Sequence, residues 1–302
     1  MADALLVVSF GGPEGQDDVI PVLQNVLRGS HVPPERVEEV AEHYRRFGGV
    51  SPINGQVRAL IAALREELAG NHIDLPVYWG NRNWHPFLTD TIQQMAVDGR
   101  RRATAFITSP YASYSGRHQY LDDIEAARAK VGERAPVVEA LPVFYNHPGF
   151  VEANADNLRT ALAVAGGRAP VAFTAHSIPT AMEESAEFVA QVTETARLVA
   201  RQAGTSDWCL VYQSRSGPPA QAWLEPDIGD HLQALAQEGV KRVVVAPIGF
   251  ISDHMEVIYD LDVQAREMAE GLGLTFVRAA TVGTAPAFVR MIRQLIETAQ
   301  DD

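Results

Sequence analysis

Cysteine is almost absent from this 302-residue chain: Cys209 stands alone. One thiol excludes an intrachain disulfide, a cysteine-rich zinc site and a four-cysteine iron–sulfur cluster held by a single chain. Its neighbours, Asp207-Trp208-Cys209-Leu210-Val211-Tyr212, read as the start of a strand, where a thiol is expected to be buried and inert. Lysine is nearly as scarce, at Lys130 and Lys241 only, so arginine supplies almost all the positive charge. Arginine suits two-pronged recognition of carboxylates, although a GC-rich genome produces the same bias. The net charge of −13 argues against nucleic acid as a general partner. No run approaches the ~18 apolar residues of a membrane span. No basic leader with an apolar stretch follows Met1-Ala2-Asp3-Ala4, and the end from Glu297 to Asp302 is polar, so a cytoplasmic, soluble protein is expected. Nucleotide and nucleophile motifs are missing too. Gly11-Gly12-Pro13-Glu14-Gly15 is not G-x-G-x-x-G, and neither a Walker loop nor a G-x-S-x-G elbow occurs.

The chain does have an ordinary apolar content of 46% and enough length for a sizeable core. Short apolar runs alternate with longer segments of helical period. Strands are expected over 4–9, 76–80, 103–109, 137–141, 170–174, 208–213, 242–247 and 274–277. Helices are expected over 17–28, 34–47, 55–69, 86–98, 116–131, 147–165, 182–203, 228–238, 253–271 and 286–298. This alternation predicts an α/β protein with parallel sheets covered by helices.

A weak internal repeat divides the chain. Val8-Ser9-Phe10-Gly11-Gly12-Pro13 and Thr174-Ala175-His176-Ser177-Ile178-Pro179 end their strands alike. Val77-Tyr78-Trp79-Gly80-Asn81 parallels Val211-Tyr212-Gln213-Ser214-Arg215, and Arg101-Arg102-Ala103 parallels Lys241-Arg242-Val243. The offsets are 166 residues (Pro13 to Pro179), 134 (Tyr78 to Tyr212) and 140 (Arg101 to Lys241), so the first half carries about 30 extra residues between its first two strands. Two similar Rossmann-like domains follow: one over 1–165 plus 285–302 with an inserted element, the other over 166–284. Ligands in such folds bind at the carboxyl ends of strands, and two halves facing one another would leave a cleft between them.

By that rule the residues that follow strands carry the chemistry. His176 comes directly after an apolar strand. Its imidazole can take a proton or bind a metal near neutral pH, or it can be a structural histidine bonded to a loop carbonyl. Ser252-Asp253-His254-Met255-Glu256 reads as a helix start, with Ser252 as N-cap and Asp253 and Glu256 at the positive end of the dipole. Glu256 and Asp260 are four apart and share a helical face, where two like charges are mildly unfavourable. A carboxylate ladder that passes protons or guides a cation accounts for them better. With His176, Glu256 would form a mixed imidazole–carboxylate site suited to borderline metals such as ferrous iron. Too few ligands cluster for a permanent metal site, which favours a transient stop. Asn81-Arg82-Asn83-Trp84-His85-Pro86 is either a site wall or a helix-entry loop.

Ala175-His176-Ser177-Ile178-Pro179 and Gly249-Phe250-Ile251-Ser252-Asp253-His254-Met255-Glu256-Val257-Ile258-Tyr259-Asp260 resemble the two signature segments of the ferrochelatases. Supporting similarity spans nearly the whole chain, at Ser9–Pro13, Gly48–Asn54, Gln213–Pro218 and Trp223–Asp227. The segments are similar to those of the actinobacterial branch, whose members are coproporphyrin III ferrochelatases. The resemblance implies two Rossmann-like halves around a porphyrin cleft, with porphyrin and ferrous iron as substrates and no permanently bound cofactor. It implies that His176 and Glu256 are catalytic and contact the metal, with Asp260 as a proton or metal relay. It places Phe10, Arg28, Tyr44, Ser51 and Tyr120 at porphyrin-contacting positions, and Arg28 and Arg45 are suited to pair propionates. The element from Val26 to Phe47 becomes a porphyrin lip. A monomer is implied, with transient contact to neighbouring haem-pathway enzymes. Two departures matter. Phe10 replaces a tyrosine of many bacterial relatives and cannot ligate iron. The [2Fe–2S] cluster of many actinobacterial relatives is not expected, because Cys209 is alone, Arg117-His118 stands near one cluster position, and the chain is shorter between Thr180 and Val189. The other readings are a protoporphyrin IX ferrochelatase, a cobalt or nickel chelatase for another tetrapyrrole, and a non-catalytic porphyrin or haem carrier.

Overall fold

A computed structural model describes residues 1–29, 32–216 and 220–301. Gly217 and Pro218, at the end of one of the similar segments, lie outside the described residues. Eight strands form two four-stranded parallel sheets. The first sheet holds β1 (Ala4–Ser9), β2 (Val77–Asn81), β3 (Arg102–Ile107) and β4 (Val137–Ala140), in the order β2-β1-β3-β4. The second holds β5 (Val171–His176), β6 (Trp208–Gln213), β7 (Arg242–Ala246) and β8 (Thr275–Arg278), in the order β6-β5-β7-β8. The central strands explain their own sequences: every residue of β1 is buried, as are the first five of β5. Parallel strands covered on both faces need continuous apolar runs rather than alternation.

The repeat is therefore real, and strand register corrects one of its offsets. Leu5 pairs with Val77 and Thr104, while Val171 pairs with Trp208 and Val244. The first strands are offset by 166 and the third by 140, as expected, but β2 and β6 by 131 (Val77 to Trp208) rather than 134. Two hydrogen bonds repeat the same relation: Asn81 N–H donates to the Pro86 carbonyl, and Tyr212 N–H to that of Pro226. Matching tyrosine with tyrosine misaligned the pair by three residues, because the buried strand positions accept many apolar side chains and identity there carries little register information.

Contacts divide the chain into a first unit of residues 1–108, 115–142 and 292–302 and a second of 109–114 and 143–291. This differs from the expected borders at 165 and 285. Helix α6 (Pro148–Val164) joins the second unit, since Val151, Ala155, Leu158 and Leu162 pack into the same core cluster as β5 and α7 (Ser185–Ala203). In the first unit, the extra residues between β1 and β2 form α1 (Val19–Val26) and α2 (Pro34–Arg45), ahead of α3 (Ile53–Gly70). A small core of Val19, Leu23 and Ala41 holds α1 to α2, with Tyr44 packed against it. α8 (Ile228–Gln237) follows β6. Among the described residues no helix is long and apolar enough to cross a membrane.

The segment expected as one helix over 253–271 is three pieces: α9 (Met255–Ile258), a π-helical stretch (Asp260–Ala265) and α10 (Arg266–Gly271). Val257, Leu261, Ala265 and Ala269 are all buried, at a strict spacing of four. Four residues overshoot the 3.6-residue turn. The wider π turn, closed by Gln264 N–H on the Tyr259 carbonyl at 2.9 Å, absorbs the drift and keeps this row on the core. Ser252 is not the N-cap: His254 occupies that position without a side-chain cap.

Candidate active site

In the second sheet the strand order reverses between β5 and β7, the place where open α/β sheets take ligands. The two strands stay paired from Val171–Val244 to Phe173–Ala246, and beyond that β5 runs on beside β6 alone, as far as His176 opposite Gln213. The loop after β7 then folds over β5. Gly249 N–H donates to the Thr174 carbonyl at 3.0 Å. A Cβ on Gly249 would stand 2.7 Å from Ala175 Cα, so only glycine lets the loop lie this close. The loop leads to His254 and to α9, which brings Glu256 to the end of β5.

His176 Nε2 lies 3.2 Å from Glu256 Oε1. Its Nδ1 bonds the Ser177 carbonyl at 2.5 Å, which makes Nδ1 the donor and turns Nε2 toward the carboxylate. Burial pushes the imidazole pKa down, but the Glu256 charge and hydrogen bond, together with the Ser177 carbonyl, hold it up at about 9. Burial likewise pushes Glu256 up, yet His176 and His254 hold its pKa well below the usual carboxylate range. The pair is an imidazolium–carboxylate at neutral pH. His254 Nδ1 is 3.6 Å from Glu256 Oε2, too long for a hydrogen bond. Its ring meets Phe250 edge-on at 4.5 Å, and burial lowers its pKa.

Asp260 is the next carboxylate. Burial raises its pKa to about 6, the Ser214 hydroxyl that donates to Oδ2 pulls it down, and the Glu256 charge raises it again. Gln213 Nε2 donates to the Glu256 carbonyl at 2.5 Å, while its buried Oε1 has no partner. Ser214 sits at φ +63°, a conformation that side-chain-bearing residues seldom adopt. The sequence reading quoted Gln213, Ser214 and His254 but gave them no role. The usable signal was position: Gln213 and Ser214 end the strand that neighbours His176. Among the described residues no group of three or more His, Cys, Asp or Glu side chains is arranged to hold a metal ion.

The porphyrin-contacting candidates all lie in the first unit, where they form two groups. Phe10 directly follows β1 and, by the 166-residue offset of the first strands, matches His176, the last residue of β5. Arg82 follows β2, its guanidinium 5.9 Å from the Phe10 ring centroid and 4.6 Å from that of Tyr120, and it pairs with Asp123. Tyr120 is buried, which raises its phenol pKa. Ser51 is buried in a turn against Gly12, with its N–H on the Pro13 carbonyl. The second group is on the inserted element, Arg28 in the turn after α1 and Tyr44 and Arg45 on α2. Arg28 is exposed, with Nη2 on Asn25 Oδ1 at 2.7 Å. Tyr44 is half-buried against the small α1–α2 core. Arg45 is bound to Glu38 at 2.5 Å and to Glu42 at 3.2 Å, so to take a propionate it must exchange those partners. Surface ion pairs of this kind are weak enough to exchange. Cys209 lies on β6, half-buried, and burial raises its pKa.

Two four-stranded parallel sheets of one strand order are also the architecture of solved chelatase-fold structures. SirB from Bacillus subtilis with Fe3+ aligns over 100% of this chain and 98% of its own at a TM-score of 0.60 and 13% identity. CbiX, described as the terminal enzyme of sirohaem biosynthesis in denitrifying bacteria, aligns over 98% and 99% at 0.57 and 15% identity. At such identities the likeness is one of fold. Sequence narrows it: the ferrochelatase family profile matches residues 2–300, and the chain belongs to the ferrochelatase family. A ferrochelatase of Rhodopirellula baltica is 53% identical over 299 residues, 98% of this chain and 85% of that protein. The coproporphyrin III ferrochelatase of Streptomyces coelicolor is 52% identical over 324 residues, 99% and 86% of the two chains. That of Nocardia farcinica is 51% identical over 306 residues.

Proposed function

We propose that this enzyme inserts Fe2+ into coproporphyrin III, giving Fe-coproporphyrin (coprohaem) and two protons, as a step of haem biosynthesis in the cytoplasm. The observation that carries the reading is the 3.2 Å His176–Glu256 pair beside a second carboxylate, Asp260. Iron is a substrate here, and the reaction asks for no resident cofactor. Metallation must remove two N–H protons from the macrocycle, so bases facing the porphyrin nitrogens are a chemical necessity.

The protonation states suggest the order of events. His176 Nε2 and Glu256 share a proton at neutral pH, so an arriving Fe2+ displaces it in order to use those atoms. Asp260, with a pKa of about 6, is placed to pass protons onward to water. Burial beside Glu256 disfavours the charged form of His254. In the first unit Phe10 offers a ring face rather than a ligand, and Arg82, Tyr120 and Ser51 line the same loop ends. Arg28, Tyr44 and Arg45 would meet the porphyrin edge, with the arginines taking propionates. Coproporphyrin carries more carboxylates than protoporphyrin. The inserted α2 exposes Glu35, Glu38, Glu39 and Glu42 and so presents no apolar lip of the kind a greasy porphyrin would use, while attraction of propionates falls to the arginines.

The test is anaerobic Fe2+ offered with coproporphyrin III or protoporphyrin IX, read by loss of the free-porphyrin bands. Metallation of coproporphyrin III in preference is expected. Preference for protoporphyrin IX would overturn the substrate, and metallation of neither would overturn the activity.

A further inference from the structure

The reacting carboxylates sit on a stretch of weak helix. From Asp253 to Asp262 the backbone makes four residues of α-helix and then enters a π-helical turn. Such short and irregular turns do not by themselves fix side-chain directions. Glu256 nevertheless has to meet His176 within a few tenths of an ångström.

Arg278, the last residue of β8, reaches both ends of this stretch. Its Nε donates to Asp262 Oδ1 at 2.7 Å. Its Nη1 and Nη2 donate to Asp253 Oδ1 and Oδ2 at 3.2 and 3.1 Å, a two-pronged grip. The guanidinium side chain is 14% exposed, and the two carboxylates 20% and 27%. Thr281 Oγ1 adds a 3.1 Å bond to Asp253 Oδ1, and Asn157 Nδ2 holds the Thr281 carbonyl at 3.0 Å. Asp253 adjoins His254, and Asp262 is two residues past Asp260. One planar group thus brackets His254, Glu256 and Asp260. The bracket belongs to this half of the repeat alone: Val245 pairs with Arg278, the equivalent Ala105 pairs with Ala140, and a methyl group grips nothing.

We infer that Arg278 is a positioning residue for metallation, which by bridging Asp253 and Asp262 holds Glu256 against His176. The inference rests on the metallation reading above. Arg278 touches no substrate. Lysine keeps the charge but offers a point donor that cannot span two carboxylates.

The test compares the parent with Arg278→Lys and Arg278→Gln in anaerobic metallation of coproporphyrin III, alongside porphyrin binding and thermal unfolding. Loss of positioning is expected to lower kcat about tenfold in R278K and about 100-fold in R278Q, with the porphyrin KM within about twofold of the parent. Parental kcat in R278K, or kcat and KM failing together with the folded fraction, overturns the bracket. R278K decides alone if R278Q does not fold. A readout without turnover separates this from the activity itself: the 15N-labelled imidazole signals of His176 and His254 should move in folded R278K. If the parent fails to metallate, the activity reading falls, and unmoved imidazole signals would still sink the bracket separately.

Discussion

His176 Nε2 stands 3.2 Å from Glu256 Oε1, and its Nδ1 is bound to the Ser177 carbonyl. One nitrogen is thus bonded to a loop carbonyl, and the other faces a carboxylate. The loop carbonyl is what makes the other nitrogen available to the carboxylate, with its direction fixed.

Replacing Glu256 by glutamine keeps the shape and removes the charge. General-base chemistry of this kind contributes about 10²–10⁴-fold, so E256Q should metallate at least about 100-fold more slowly while binding porphyrin as the parent does. Metallation at the parental rate would sink the assignment. The same variant reports the pair's linkage. The raised His176 pKa gives stability that is whole below its ordinary ~6.5 and is lost as pH climbs through about 9. The lowered Glu256 pKa gives stability that is whole above its ordinary ~4.5 and fades in more acid solution. Denaturant titrations should therefore separate parent from E256Q most widely between those ordinary values, with the gap closing in alkali.

Asp260 has the opposite sign. Its pKa is raised from 3.8 to about 6, so its ionisation opposes folding: the penalty is absent below 3.8 and complete above about 6. Asp260→Asn should be the more stable protein at pH 8 by about 1 kcal/mol, with no advantage at pH 3.5. Equal stabilities at pH 8 would contradict the raised value.

Ser214 separates a hydrogen bond from a backbone cost. Ser214→Ala loses the hydroxyl bonded to Asp260 and keeps a β-carbon at φ +63°. Ser214→Gly loses the same hydroxyl but adopts that conformation freely. S214A should be the less stable of the two by about 1 kcal/mol, and both should raise the Asp260 pKa further. Equal unfolding midpoints would show that the left-handed backbone carries no cost here.

The sequence disclosed the sheets well, because doubly covered parallel strands demand apolar runs that little else produces. It pointed to His176, Glu256 and Asp260, which the fold brings together, because each ends a strand or repeats along a helix face. It misplaced the β2–β6 register by matching one tyrosine to another. It drew an unbroken helix over 253–271, since a row of residues four apart looks α-helical until the drift from 3.6 is counted. Gln213 and Ser214 escaped a role because their adjacency to the site runs across strands, about 40 residues from Glu256 in sequence. Arg278 escaped for the same reason. A lone arginine ending an edge strand carries no mark of the two carboxylates it joins.

Gly249 offers the sharpest steric test. Its missing side chain lets the loop after β7 cross β5 with an N–H bond to Thr174, and an added Cβ would meet Ala175 Cα at 2.7 Å and Ala175 Cβ at 2.8 Å. Neither is the end of a flexible side chain, so the loop itself must lift. The same loop leads into His254 and the short helix α9 that carries Glu256, and Nε2–Oε1 is already at the outer range of a hydrogen bond at 3.2 Å. A shift of a few tenths of an ångström breaks the pair. Gly249→Ala should therefore lower kcat about 100-fold and cost about 1–3 kcal/mol of stability. Porphyrin affinity should change little, because the first-unit contacts are untouched. Measured kcat, porphyrin affinity and unfolding midpoint together check this, and a fully active G249A would mean that the loop does not need to lie so close.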